Sequence, residues 1–400
     1  MANSLLTIDM ITRKSLEVLE NNLVLTRNIN RQYDDSFAVP GAKIGATLRI
    51  RKPDRALVTD GAALEVQDVD EQSTTLTVSS QKHIGMNFTT AEMALSLDDF
   101  AERVIHPRIS QLASSVDADV ANVYKDVYQS VGTPGTTPAT SLVLLEAQQK
   151  LNESAAAMTP RYATVNPAAN AGLVEGLKGL FNPTDTVSRQ FKNGMMGTGV
   201  LGFDEINMSQ SIKQHTNGSW GTSITSTSTV AIEGASTLGI SFTGSSKTWA
   251  VGDVFTVAAV YAVNPQTRES TGSLQQFVVT AAATGSSTAT LSISPAIYTA
   301  THALATVDSF PQATAVVTMV GTAATQYPQN LVYHKDAFTM ATADLLLPQG
   351  VDMASRQVHN GISMRIVRQY DINNDRMPCR VDILYGYGTI RPEMASRIWG

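Results

Sequence analysis

The 400-residue sequence holds a single cysteine, Cys379. An internal disulfide framework is impossible, and a cysteine-rich zinc site is excluded. Charge is scarce as well. Asp, Glu, Lys and Arg make up 16% of the chain, against a norm of about 25%. Lys and Arg number 29 and Asp and Glu 35, a formal net charge of −6. A protein that tracks nucleic acid carries a basic excess, and this one does not. No run of about 18 apolar residues occurs, so no membrane-spanning segment is expected. The start, Met1 to Glu20, lacks a basic stretch followed by an apolar core, so a secretory signal is not expected and folding in a reducing cytoplasm is. What the chain does have is 43% hydrophobic residues and a length suited to two or three domains. Such a chain can bury about three quarters of its unfolded surface without a metal or disulfide.

Catalytic patterns are missing too. His83, His106, His215, His302, His334 and His359 stand apart in sequence with no metal-ligand spacing, and HExxH is absent. Cys379 sits in an alternating strand pattern and reads as a small packed residue. The run Gly194 to Gly202 lacks the Lys-Ser/Thr of a phosphate-binding loop and reads as a flexible turn. Asp34–Asp35, Asp98–Asp99 and Asp117–Asp119 could supply paired carboxylates, but caps and solvated faces explain them more simply. No cofactor is expected.

The order of elements is more informative. In residues 1–35, Leu16, Leu19 and Leu23 share one helical face, and Asn28 to Asp35 reads as polar and extended. The segment is either an arm that docks on something or a first core helix. Residues 36–90 switch to a period of two at Ile44, Ala46, Leu48 and Ile50 and again at Thr74, Leu76 and Val78, which predicts a long hairpin. Its charges are segregated: Lys43, Arg49, Arg51, Lys52 and Arg55 precede Asp60, Glu65, Asp68, Asp70 and Glu71. These ten are the candidate contacts between subunits; pairing across the hairpin and plain solvation are the alternatives. Residues 97–130 carry the strongest helical period, Ile105 through Val127, with Asp98 and Asp99 at its start and Pro107 marking a kink or late start. Such a helix would run on the order of 50 Å. Helices follow at Leu142 to Met158 and Ala168 to Leu180, with a strand at Tyr162 to Val165 between them.

Residues 221–320 then change character. They hold 33 Ser or Thr and only six charged residues, whereas the other 300 hold 58. Alternation at Phe255 and Val257, Phe277 and Val279, and Leu291 and Ile293 predicts an inserted all-β module rather than a disordered linker. After it, LVYHKDAF reads as a buried strand, and Arg365 to Gln369 pairs with Arg380 to Tyr385 across the DINNDRMP turn.

Three short motifs fall in a fixed order around that module. Gly202, Phe203 and Asp204 precede it; Tyr333, His334, Lys335, Asp336, Ala337 and Phe338 follow it. Near the end come Tyr385 and Gly386, then Arg391, Pro392 and Glu393. In this order the chain resembles the major capsid proteins of tailed bacteriophages, of the Hong Kong ninety-seven or Johnson fold. It is most like the coat proteins of short-tailed Salmonella-type phages, which carry an inserted β domain. The resemblance implies an α+β fold with an N-terminal arm (1–35), an extended loop with flanking strands (36–90) and a peripheral domain with a spine helix (91–130). It further implies an axial domain (131–221 and 327–385), an inserted all-β domain (222–326) and a C-terminal segment (386–400). It implies a non-enzymatic shell subunit that forms pentamers and hexamers around double-stranded DNA without reading its sequence. A scaffolding protein and a portal are the implied partners, and assembly in the host cytoplasm the implied setting. The family's long acidic loop early in the insertion has no clear counterpart in Ser223 to Gly244. Two other readings compete: a tail or fibre binding module using the Ser/Thr-rich region, and a hydrolase with a β accessory domain.

Overall fold

The computed structural model describes residues 8–31, 47–58, 61–62, 66, 72–89, 106–176 and 197–400. The chain divides into two compact units, each gathered from separated stretches. One comprises residues 1–50, 73–121 and 338–390, the other 51–72, 122–337 and 391–400.

The first unit is organised by the 14-residue strand Arg376–Thr389. Ser80–Thr89 runs antiparallel along one side of it, from Arg376 opposite Thr89 to Tyr385 opposite Ser80. Its other side is shared: Ile362–Arg368 pairs with its first part and Phe338–Thr342 with its last. Met353–His359 closes a hairpin with Ile362–Arg368. The two-residue turn, Asn360 and Gly361, has positive φ at both positions (49° and 76°), which matches the twist of the flanking strands. The expected pairing of the Arg365 and Arg380 segments is therefore present, with Arg365 opposite Asp382.

Two helices complete this unit. Ile8–Asn22 buries Leu16 and Leu19 as the spacing predicts, with Leu23 buried just past its end, and it packs on the strand Met353–His359 and on the helix His106–Val120. The polar segment after it is not simply extended. Thr26–Asn28 forms a 3-10 turn, Asn30 bridges Thr339, and residues 32–35 lie outside the described residues. The helix expected over 97–130 is shorter at its far end. It is helical over His106–Val120, with residues 97–105 outside the description, and then tightens into the 3-10 turn Ala121–Asp126. The apolar period survives the change, since Val116, Val120, Val123 and Val127 are all buried. Burial of the same face, not helical bonding, is what that spacing recorded. The hairpin base is Thr47–Arg51 against Ser73–Thr77, with Ile50 and Leu76 buried beside Leu384 and Ile390.

Among the described residues, the second unit holds two large sheets and a small one, Lys247–Trp249 against Ala283–Gly285. A seven-stranded sheet has Gln326–His334 at its centre, flanked by antiparallel Ala395–Trp399 and Arg161–Val165. Phe203–Met208 lies parallel to Arg161–Val165 on the far side. Helices Ser141–Glu153 and Pro167–Gly176 cover it, placing Leu144, Leu151 and Leu173 against Val165, Phe203 and Val332. The first helix ends at Glu153, short of the expected Met158, and residues 177–180 of the second lie outside the described residues. The Gly-rich run is not a flexible turn where it is described. Gly197–Val200 and Phe203–Met208 form a hairpin whose turn residues, Leu201 and Gly202, have φ of 54° and 75°. LVYHKDAF is two strands with a corner between them, because the chain makes a 3-10 turn at Lys335–Ala337.

The other large sheet comes entirely from the low-charge region. Its six strands run, in spatial order, Val317–Met319, Val254–Val263, Ser270–Ala281, Thr288–Ile297, Ala235–Thr243 and Thr222–Ser226. Every apolar residue of the predicted alternation is buried, and Phe255 stacks on Phe277 at 5.7 Å between ring centres. Trp249, Leu291 and Ile297 complete a core drawn from this region alone.

Candidate assembly surface

The hairpin charges divide between described and undescribed residues. Arg49, Arg51, Lys52 and Arg55 are described; Lys43, Asp60, Glu65, Asp68, Asp70 and Glu71 lie outside. The Lys52 backbone N–H donates to the Gln72 carbonyl at 2.8 Å and extends the hairpin base. Arg49 Nε donates to Ser73 Oγ across that base at 2.7 Å. Arg55 reaches Glu393, 338 residues away, with Nη2 3.4 Å from Oε1. The basic half of the hairpin thus meets the Arg391–Pro392–Glu393 motif, a juxtaposition that no local spacing announces. Burial lowers the pKa of Lys52; Glu393 opposes that shift, and Arg391 and Arg55 reinforce it.

The other motif residues are fastened inside their own units. Asp204 Oδ2 accepts the Arg161 backbone N–H at 2.7 Å and fixes the start of a central strand. Phe203 is buried beneath the adjoining helix, and Gly202 makes the positive-φ turn just before it. His334 Nδ1 accepts the Asp336 N–H at 3.2 Å, and its Nε2 lies 3.2 Å from the Thr159 carbonyl, which holds the corner at Lys335. The Tyr385 hydroxyl donates to Asp119 Oδ2 at 2.8 Å, and Lys82 Nζ lies 2.6 Å from the same oxygen. Burial, then Asp119, pushes the Tyr385 pKa up. Gly386 faces the Thr77 carbonyl so closely that a Cβ would sit 2.2 Å from its oxygen.

The carboxylates considered for acid–base work are engaged structurally. Asp117 accepts from the Thr26 N–H and hydroxyl, at 2.9 and 2.8 Å, and from the Leu25 N–H. Burial raises its pKa, and these hydrogen bonds oppose the shift. Asp119 holds Lys82 and Tyr385. Asp34–Asp35 and Asp98–Asp99 lie outside the described residues. Among the described residues, no three His, Cys, Asp or Glu side chains gather as a metal site.

One buried cluster went unread in the sequence. His215 Nε2 meets Asp253 Oδ1 at 2.8 Å, and the Tyr124 hydroxyl meets His215 Nδ1 at 3.2 Å. Asp253 also accepts the N–H groups of Gly218 and Ala250. Beside them the fully buried Arg397 donates to the Gly252 carbonyl at 2.8 Å and lies over the rings of Tyr124 and Trp399. Burial pulls the Arg397 pKa down to about 10, against the influence of Tyr124, Asp253 and Asp126. A charge held this way is costly alone and is sustained by its partners. The cluster ties the low-charge region to the strand Ala395–Trp399, so its role is architectural. Nothing marked it in the sequence, because its members are scattered from 124 to 397.

The family model described as P22 coat protein - gene protein 5 matches residues 1–398. The chain belongs to that family: it is a coat protein, a major capsid protein whose copies build a shell, with the α+β fold of the Johnson type. Among solved structures, one titled Mycobacterium phage Che8 is 11% identical over 94% of this chain and 90% of that one, with a TM-score of 0.49. A subunit from the bacteriophage PhiM1 mature capsid is 13% identical over 90% and 83%, with a TM-score of 0.43. One from the capsid of Ralstonia phage GP4 is 7% identical over 89% and 83%, with a TM-score of 0.44. The assignment rests on the family match. A search of curated protein sequences finds no match.

Proposed function

We propose that this coat protein forms pentamers and hexamers that close into an icosahedral shell around double-stranded DNA. The observation that carries the reading is the family match over residues 1–398. One chain that fills fivefold and sixfold rings must reuse the same patches in heterologous contacts that close. Extended hairpins suit that task, because they spread many weak contacts over several neighbours. In this reading residues 36–90 supply the extended loop, 97–130 the spine of a peripheral domain, and 131–221 with 327–385 an axial domain. Residues 222–326 form the inserted domain, and residues 1–35 act as an arm.

The net charge of −6 suits a container, since a basic lining would hold packaged DNA by phosphate contacts. A scaffolding protein and a portal complete the assembly, which takes place in the host cytoplasm. The subunit itself catalyses nothing. Cryo-electron microscopy of particles made by the expressed protein tests the proposal. Rings of five and six subunits in closed shells are expected; threefold spikes that bind cells or glycans would overturn it in favour of a fibre module.

A further inference from the structure

The sequence holds three Asn-Gly pairs, at 193–194, 217–218 and 360–361. Such pairs are chemically labile, because glycine has no side chain to keep its amide nitrogen away from the asparagine side chain. Asn193 and Gly194 lie outside the described residues. The structure puts the other two pairs in opposite settings. Asn217 is buried, its Nδ2 donates to the Val320 and Thr322 carbonyls, and the Gly218 N–H donates to the Asp253 carboxylate at 3.1 Å. Both reacting groups are tied up there. Asn360 is instead exposed, in the turn between Met353–His359 and Ile362–Arg368. Among the described residues, the Gly361 N–H meets no acceptor. Thr342 Oγ1 donates to the Gly361 carbonyl at 2.9 Å and anchors the turn.

Three side chains of the same unit converge on this pair. Arg31 Nη1 donates to the Asn360 carbonyl at 2.6 Å. That oxygen belongs to the peptide unit whose nitrogen is that of Gly361. The guanidinium therefore stabilises the negative charge that appears when this N–H loses its proton. Asn360 Nδ2 donates to Glu20 Oε1 at 2.7 Å, which orients the side-chain amide. His359 Nε2 lies 3.3 Å from Glu20 Oε2 and 3.4 Å from Asn360 Nδ2, where a proton on it reaches a departing nitrogen.

We propose that Asn360 is a covalent modification site, converting to aspartate and isoaspartate through a cyclic imide with Arg31 and His359 promoting the reaction. Solvent hydroxide takes the Gly361 proton. Gly361 N then bonds to Asn360 Cγ, the Cγ–Nδ2 bond breaks, and Nδ2 takes a proton from His359 and leaves as ammonia. Water opens the imide, giving its hydroxyl to the carbon and its other proton to the nitrogen. Opening at Cγ yields aspartate; opening at the main-chain carbon yields isoaspartate. Each conversion replaces a donor facing Glu20 by a second carboxylate, where the helix Ile8–Asn22 packs on the hairpin.

The test incubates the full-length protein at neutral pH and follows both pairs by peptide mapping and mass spectrometry. Isoaspartate is read separately, by enzymatic methyl labelling with an isoaspartate methyltransferase. In the folded protein Asn360 should convert and Asn217 should not. R31Q and H359Q should each slow Asn360 at least about tenfold while folded. In urea, wild type and both variants should convert at one common rate. The His359 side chain is 41% exposed, so H359Q carries the test should R31Q fold poorly. A folded protein that keeps Asn360 intact while the chain in urea converts would overturn the inference. So would folded variants that react at the wild-type rate.

Discussion

Gly386 and Cys379 sit on the same strand and show what single positions demand. At Gly386 a methyl group would press on the Thr77 carbonyl, which is backbone and cannot step aside cheaply. Gly386→Ala should therefore cost about 1–3 kcal/mol, read as a lower urea midpoint with an unchanged slope. Cys379 is held by burial, which pushes its thiol from 9.0 up to about 11. The folded state thus prefers the protonated thiol. Its contribution to stability is full below pH 9 and is lost as pH rises toward 11. Alkylation at pH 8 should be slow in the folded subunit and fast after unfolding in urea; equal rates would show an accessible thiolate. The strand alternation around Cys379 was legible in the sequence, and the structure leaves the side chain half-buried on that strand. The partnership of Arg55 with Glu393 was not, because 338 residues separate the two and only the fold closes that distance.

At the scale of elements, periodicity carried most of the information. The leucines of the first helix, the valines after His106 and the alternating residues of the low-charge region all fall inside cores, where their spacing put them. Where the reading failed, burial and hydrogen bonding had parted company. The valine face continues past Val120 although the backbone leaves the α-helix, and LVYHKDAF is uniformly apolar at its ends although a corner interrupts it. The start of the inserted module shows the same limit. Composition places it at 222, but its supports begin earlier. Asn217 bonds to the Val320 and Thr322 carbonyls, Gly218 accepts the Ala324 N–H, and His215 meets Asp253. A fragment covering 214–326 should therefore fold cooperatively and melt at least about 5 °C above one covering 222–326, since each kcal/mol is worth several degrees in a domain of this size. Equal melting temperatures would show that these bonds add nothing.

At the scale of the whole molecule, the claim is that this chain is built to be one of many. Its family is that of coat proteins, and among the described residues Asp117, Asp119 and the His215–Asp253 pair are bonded within the chain. No metal is part of the account, so closed particles should survive a chelator such as EDTA with unchanged sedimentation; dissociation would reveal a required ion. The most direct measurement is negative-stain electron microscopy of the protein purified from expressing cells. The account predicts closed shells, or sheets and tubes with a hexagonal lattice. Discrete trimers or slender fibres as the assembled form would contradict it.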